Sequence, residues 1–385
     1  MHISDSFESG AILVDDIANP RHARLKLKPD SANAAFKQWF YFRLVATAGE
    51  RITVEIVDAG GVADMKSREG LGGHPVLWQN YAAFASYDGS NWFNLPTTFD
   101  GRGLAMDVRL ANDAIYIATY VPYTLERQQR AVGKWLQAPD ARVEVIGLTP
   151  DGRDLDLVTI GKPDPAKKKA WITARQHPGE TQGSWCMEGL MERLLDPNDP
   201  VAKQLRRMAT FYVIPNLNPD GSARGHTRTN MHGVNLNREW ASASMEKSPE
   251  VYIALREMDR RGIDFFLDLH AWGGDKPFCI GPYHVPSVDA AGERRWRAYQ
   301  TTLAQTDRAF ELGQPYPGGG PTPGKADLAM SWNYVSERFG ACGILYELPF
   351  KPNAATPDLP HSWSVADCHR FGRNSLEPML GALRS

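Results

Sequence analysis

Cysteine is scarce in this chain, and the few present are scattered. Cys186, Cys279, Cys342 and Cys368 lie far apart in 385 residues, with no Cys-x-x-Cys pair. That spacing excludes a thioredoxin-like redox motif and a cysteine-built zinc knuckle. It predicts buried thiols kept in a reducing compartment. An excess of one charge is also missing. Lys and Arg number 43 against 45 Asp and Glu, for a net charge of −2, and no like-charged block exceeds Lys167–Lys169. Nucleic acid demands a clustered basic face and is excluded as a partner. No run of about 18 apolar residues occurs, so no membrane span is expected. The N-terminus lacks the basic start and apolar core of a secretion signal, and a cytoplasmic location is expected. The sequence also lacks Gly-x-Ser-x-Gly, His-Glu-x-x-His, a P-loop and a dinucleotide fingerprint, which removes the corresponding enzyme classes.

What is present describes a folded protein of two parts. Hydrophobic residues make up 42% and charged residues 23%, as in ordinary globular chains. A chain of this length buries about 75% of its unfolded surface, so it needs no metal merely to hold a core. Residues 1–118 show short strand-like runs such as Phe40–Val45, Arg51–Val57 and Ala114–Tyr120. Glycine turns including Asp88-Gly89 and Asp100-Gly101 separate them. Short strands without helical periodicity predict an all-β, antiparallel, sandwich-like domain. Residues 119–385 alternate apolar runs (Lys169–Ala174, Phe211–Ile214, Phe265–Leu269, Gly343–Leu348) with helical stretches. Those stretches include Glu180–Leu195, Pro249–Arg260, Gly292–Glu311, Ala326–Phe339 and Val365–Leu383. Such alternation predicts an α/β domain whose sheet is flanked by helices, with its site at the carboxyl ends of strands. Gly318–Pro321 reads as a flexible loop beside that cleft. Nothing in the composition excludes a homo-oligomer.

One pair stands out. His177-Pro-Gly-Glu180 follows a strand and opens a helix, and of 10 histidines only His177 has Glu three residues on. Across such a turn an imidazole and a carboxylate can converge on one point. Catalytic zinc takes three such protein ligands and keeps a fourth position for water. The best third ligand is His270, which closes the apolar run Ile263–His270 before Gly273-Gly274. Between them, Ile214–Gly221 reads as a strand ending in an Asn-Pro-Asp-Gly turn, and Arg228, Asn237 and Arg238 sit on nearby loops. Guanidinium groups there could clamp a carboxylate or stabilise an oxyanion. The other histidines, His226 and His232 among them, read as structural.

In this order, His177-Pro-Gly-Glu180, Asn218-Pro-Asp-Gly221, Arg228, Asn237-Arg238, His270 and Glu347 resemble the signature of the M14-type, funnelin-like zinc metallocarboxypeptidases. Arg224-Gly-His-Thr-Arg228 followed by Leu236-Asn237-Arg238, behind an all-β segment, resembles the cytosolic carboxypeptidase branch. The resemblance implies an α/β zinc-carboxypeptidase-like domain with a mixed sheet and one Zn2+ per chain on His177, Glu180 and His270. It implies that Arg228 polarises the scissile carbonyl and that Asn237 and Arg238 bind the substrate's terminal carboxylate. Glu347 would be the general base, and the substrate a peptide or protein C-terminal tail. Zinc amidases of the same fold, acting on N-acyl amino acids or cell-wall peptides, are the alternative.

Two positions depart from the family pattern. An aspartate that orients a ligand histidine is replaced by Asn235. The tyrosine that digestive relatives place about twenty residues before the base has no counterpart in the matching interval, and Tyr316 or Tyr334 would have to serve. Specificity is expected from Leu328–Ser331 or Lys351. Branch relatives acting on glutamate-rich tails suggest an acidic preference set by Arg224, Lys276, Lys325 or Lys351.

Overall fold

A computed structural model describes residues 1–61, 75–313, 322, 324–351 and 362–384. Tyr316 and the loop Gly318–Pro321 lie outside the described residues. The first part contains β1 (His2–Ser4), β2 (Leu13–Asp16), β3 (His22–Lys26), β4 (Tyr41–Val45) and β5 (Arg51–Ile56). It continues with β6 (Phe84–Ser86), β7 (Trp92–Asn94), β8 (Thr97–Phe99), β9 (Leu104–Arg109) and β10 (Ala114–Ala118). They form two sheets, ordered β1-β4-β10-β6-β7 and β2-β3-β5-β9-β8. Alternation sets the inward faces, as in β5, where Ile52, Val54 and Ile56 are fully buried. One pair departs from the antiparallel expectation: β3 and β5 run parallel, with His22 opposite Thr53. The chain crosses to the other sheet as β4 between them, and only such a crossover lets consecutive strands of one sheet run the same way.

The second part contains α1 (Leu125–Trp135), β11 (Ala141–Leu148), β12 (Asp154–Ile160), β13 (Lys168–Ala174), α2 (Thr181–Leu195) and α3 (Pro200–Met208). Next come β14 (Ala209–Ile214), α4 (Pro219–Arg224), α5 (Pro249–Arg261), β15 (Phe265–Ala271), β16 (Phe278–Ile280) and α6 (Ala290–Thr306). The chain ends with α7 (Ser331–Phe339), β17 (Cys342–Leu348), α8 (Val365–Arg373) and α9 (Leu376–Arg384). These strands form one mixed sheet, β11-β12-β14-β13-β15-β17-β16. Its centre, β14-β13-β15-β17, is parallel, and β12 and β16 join it antiparallel. Every residue of β15 is buried, because helices cover both faces of a parallel centre. Helix α2 lies close on that strand: a Cβ at Gly183 would meet the Leu269 carbonyl oxygen at 2.5 Å.

Several elements differ from the sequence reading. Helix α1 was not expected, although Gln128, Ala131, Val132 and Trp135 are buried at helical spacing. Its polar Gln128 breaks the apolar stripe that reveals such a helix. The predicted Val365–Leu383 helix is divided into α8 and α9, where Asn374 caps the first. Helix α6 stops at Thr306 and α7 starts at Ser331. All four cysteines are buried and unpaired. A single apolar cluster runs from Ile3 through Trp39, Phe84 and Tyr120 to Trp185 and Phe371, joining both parts.

One buried acid tunes the second part. Glu250, in the first turn of α5, is fully buried and holds the loop before the site by accepting a 3.2 Å bond from Asn230. Burial pushes its carboxyl up to about 7. A folded pKa above the unfolded one gives stability that is complete below about pH 4.5 and lost as pH rises through about 7. Replacing Glu250 with Gln should therefore flatten the decline in chemical-denaturation stability between pH 5 and 8, recovering up to about 3 kcal/mol at the alkaline end. An unchanged pH slope in the variant would contradict this.

Candidate metal centre

The site begins with a strained residue. Arg175, just past the end of β13, takes φ 62°, a left-handed conformation that costs a non-glycine residue about 1–3 kcal/mol. Its own guanidinium holds it there, donating to the Tyr123 carbonyl at 3.0 Å and Ser222 Oγ at 3.1 Å. Burial draws this arginine down to about 10. The kink opens the turn that carries Gln176, His177 and Glu180. Glu180 stands at the N-cap of α2, one residue ahead of the helix, and its carboxylate makes no cap bond. It turns instead to the imidazoles.

Glu180 Oε1 lies 2.8 Å from His177 Nδ1, and Oε2 lies 2.9 Å from His270 Nδ1. The two Nδ1 atoms are 3.1 Å apart. His270 is the penultimate residue of β15, next to β13 in the sheet, so two neighbouring parallel strands deliver both rings to one edge. The three ligand atoms all lie within 4.8 Å of one another. A tetrahedral zinc with bonds of roughly 2.0–2.1 Å separates its donors by about 3.3 Å, so this set fits the ion. Burial and nearby Arg228 hold His177 down to about 4. Burial opposes ionisation of Glu180, but the two imidazoles keep its carboxyl well below the usual range. Burial also disfavours charge on His270, yet Asp268 and Glu180 outweigh it and raise the imidazole well above its ordinary value.

The far nitrogen of each ring is also engaged. His177 Nε2 lies 3.0 Å from Asn235 Oδ1, so the amide at the departing position does meet the imidazole. His270 Nε2 lies 3.0 Å from the Asp268 carboxylate, which the sequence reading missed. The signal was available: Asp268 sits two residues before His270 on an otherwise apolar strand, hence on the same face. Asp268 also accepts from Thr173 Oγ1 at 2.7 Å, Ser331 Oγ at 2.5 Å and the Gln176 amide. Ser331 N in turn donates to Asn237 Oδ1 at 2.9 Å, which leaves the Asn237 NH2 as its donor end. One buried acid thus connects a histidine of the cluster to Asn237.

The remaining sequence candidates divide. Glu347 on β17 is in register with His270 on β15, which places it on the same face one strand away. Arg228 Nη1 is 4.0 Å from Glu180 Oε1. Asn237 and Arg238 share a short turn, where the Arg238 guanidinium donates to the Asn237 carbonyl at 2.7 Å. Glu180 and Arg228 line a cavity whose other walls include Phe350 and, from the β part, Gln38, Trp39 and Leu77. By contrast, Arg224 is bound to Asp151 at 2.8 Å and Lys276 to Glu311 at 2.7 Å. The Tyr334 hydroxyl accepts from Arg338 at 2.8 Å. His226 contacts Ser31 Oγ at 2.8 Å and the Thr229 carbonyl at 3.0 Å, a structural bridge.

Charge support therefore reaches His270 rather than His177. Second partners of ligand histidines are worth roughly 10- to 100-fold in metal affinity. Replacing Asp268 with Asn should weaken zinc binding by about that factor, whereas Asn235→Asp should tighten it. Competition with a chromogenic chelator measures both, and equal affinities across the set would contradict the assignment.

Comparison with known proteins shows the family. A family model described as the cytosolic carboxypeptidase N-terminal domain matches residues 3–120, and one described as zinc carboxypeptidase matches residues 134–271. A crystal structure of a Shewanella denitrificans protein described as a carboxypeptidase A is 40% identical, superposes with a TM-score of 0.93, and covers 100% of this chain and 99% of its own. A metallo-carboxypeptidase from Pseudomonas aeruginosa, solved with (2-guanidinoethylmercapto)succinic acid, is 34% identical with a TM-score of 0.89, covering 99% and 98%. Mouse cytosolic carboxypeptidase 3 is 29% identical over 69% of this chain, which spans only 28% of that longer protein. No helix among the described residues is long and apolar enough to cross a membrane. The chain belongs to the zinc carboxypeptidase family and carries the N-terminal domain of its cytosolic carboxypeptidase branch.

Proposed function

We propose that this chain removes the C-terminal residue of peptides or protein tails, with one zinc ion held by His177 Nδ1, His270 Nδ1 and Glu180. The observation that carries this reading is the convergence of those three groups within 4.8 Å at the ends of adjacent strands, one strand from Glu347. Zinc bound there would lower the pKa of a water toward about 7 and polarise the scissile carbonyl. Glu347 takes the proton of the attacking water and returns it to the leaving amine. Arg228 donates to the oxyanion as it forms, a role worth about 10²–10³ in turnover. Asn237 offers its NH2 and Arg238 its fork to the terminal carboxylate, which restricts attack to the last peptide bond. Residues 1–118 form one unit and residues 119–385 the catalytic unit.

For the side chain removed, Lys351 supports an acidic preference. It follows Phe350 of the cavity wall and is 5% exposed, and burial draws it down to about 8 against the opposing pull of Asp275, so it still carries charge at neutral pH. Arg224 and Lys276 are committed to carboxylates elsewhere. A second reading, a basic side chain, is supported by the guanidino arm of the compound bound to the Pseudomonas enzyme. Mass spectrometry of a peptide library varied at the last residue separates them: release of Glu and Asp supports the first, and release of Arg and Lys the second. Glu347→Gln and exposure to a strong chelator should each reduce peptide hydrolysis by several orders of magnitude. Activity persisting through either treatment would sink the mechanism.

A further inference from the structure

The loop that carries Arg228 is held largely from the β part of the molecule. Asp30, in the connection between β3 and β4, is 2% exposed. Its carboxylate accepts the backbone N–H groups of Thr227 at 2.6 Å, Arg228 at 3.0 Å and Thr229 at 2.8 Å. It also accepts the Thr229 hydroxyl at 2.9 Å. The Thr227 hydroxyl oxygen in turn accepts the N–H groups of Gln38 at 2.8 Å and Trp39 at 2.9 Å. The ring of Phe36 lies 6.0 Å from the Arg228 guanidinium. This clamp is braced internally, because Asp30 N–H donates to the Phe36 carbonyl at 2.9 Å.

Three successive backbone N–H groups turned to one point form a nest that only an anion satisfies fully. An asparagine at position 30 would present an NH2 against donors, leaving at least one buried N–H without a partner. Below the clamp, Gly225 adopts φ +70°, and a Cβ there would come within 2.7 Å of the Gly10 carbonyl oxygen. The backbone on both sides of Arg228 is therefore fixed against residues 9–39, while its side chain reaches toward Glu180.

We infer that Asp30 is a positioning residue for Arg228, which makes the N-terminal β region part of the active site rather than an appendage. The inference rests on the reading of Arg228 as oxyanion donor. A displacement of about 1 Å in a catalytic group can cost on the order of 100-fold in rate. In the full-length zinc-loaded protein, Asp30→Asn should lower kcat about 10- to 100-fold, with KM within about threefold of wild type. Zinc content and near-UV circular dichroism should stay as in wild type.

The double variant Asp30→Asn/Arg228→Ala should be no slower than Arg228→Ala alone, because both substitutions remove one interaction. Multiplying losses would overturn the proposal, as would full activity in Asp30→Asn while Arg228→Ala is slow. Wild-type turnover in Arg228→Ala would instead overturn the role of Arg228, and this proposal with it. Should Asp30→Asn fail to fold, Phe36→Leu removes only the ring facing the guanidinium. It should lower kcat several-fold without adding to the loss in Arg228→Ala, and additive losses there would overturn the proposal too.

Discussion

One carboxylate shared by two imidazoles is the interaction on which the catalytic part depends. Each oxygen of Glu180 meets a different ring, His177 at 2.8 Å and His270 at 2.9 Å. A half-buried acid in that position is stabilised by compensating positive charge beside it. Its surroundings act to hold it there. Strand adjacency supplies the rings, the strained backbone at Arg175 supplies the turn, and the Ala271 N–H donates to Glu180 at 3.0 Å. Asp268 and Asn235 then fix the rotation of the two rings from behind.

Much of this was legible in the sequence, and the limits have physical causes. His177, Glu180 and His270 stand where apolar strands stop, and a strand end beside a glycine or a helix start is visible in one dimension. Glu347 is conspicuous because a carboxylate in an apolar run needs a reason. The parallel pairing of β3 with β5 was hidden, since which sheet a short strand joins depends on contacts distant in sequence. Helix α1 was hidden because Gln128 occupies a buried position normally filled by an apolar residue. Asp30 carries no local signal at all. It lies in a polar loop and meets its partners almost two hundred residues downstream.

Asn235 shows how an unexpected residue need not change the geometry. The amide reaches the imidazole at 3.0 Å, where an aspartate would also reach. What changes is the distribution of charge. Full negative charge stands behind His270, through Asp268, and only a dipole stands behind His177. The pairing of Asp268 with Ser331, and of Ser331 with Asn237, couples the His270 side of the cluster to Asn237 through buried bonds.

The apolar cluster that runs without interruption from Ile3 to Phe371 has a thermodynamic meaning. Two modules with separate interiors melt in separate steps, whereas a shared interior ties both to one transition. Heating this protein should therefore dismantle sandwich and hydrolase together. No partly unfolded species would then keep the hydrolytic machinery assembled without the β region that frames its entrance.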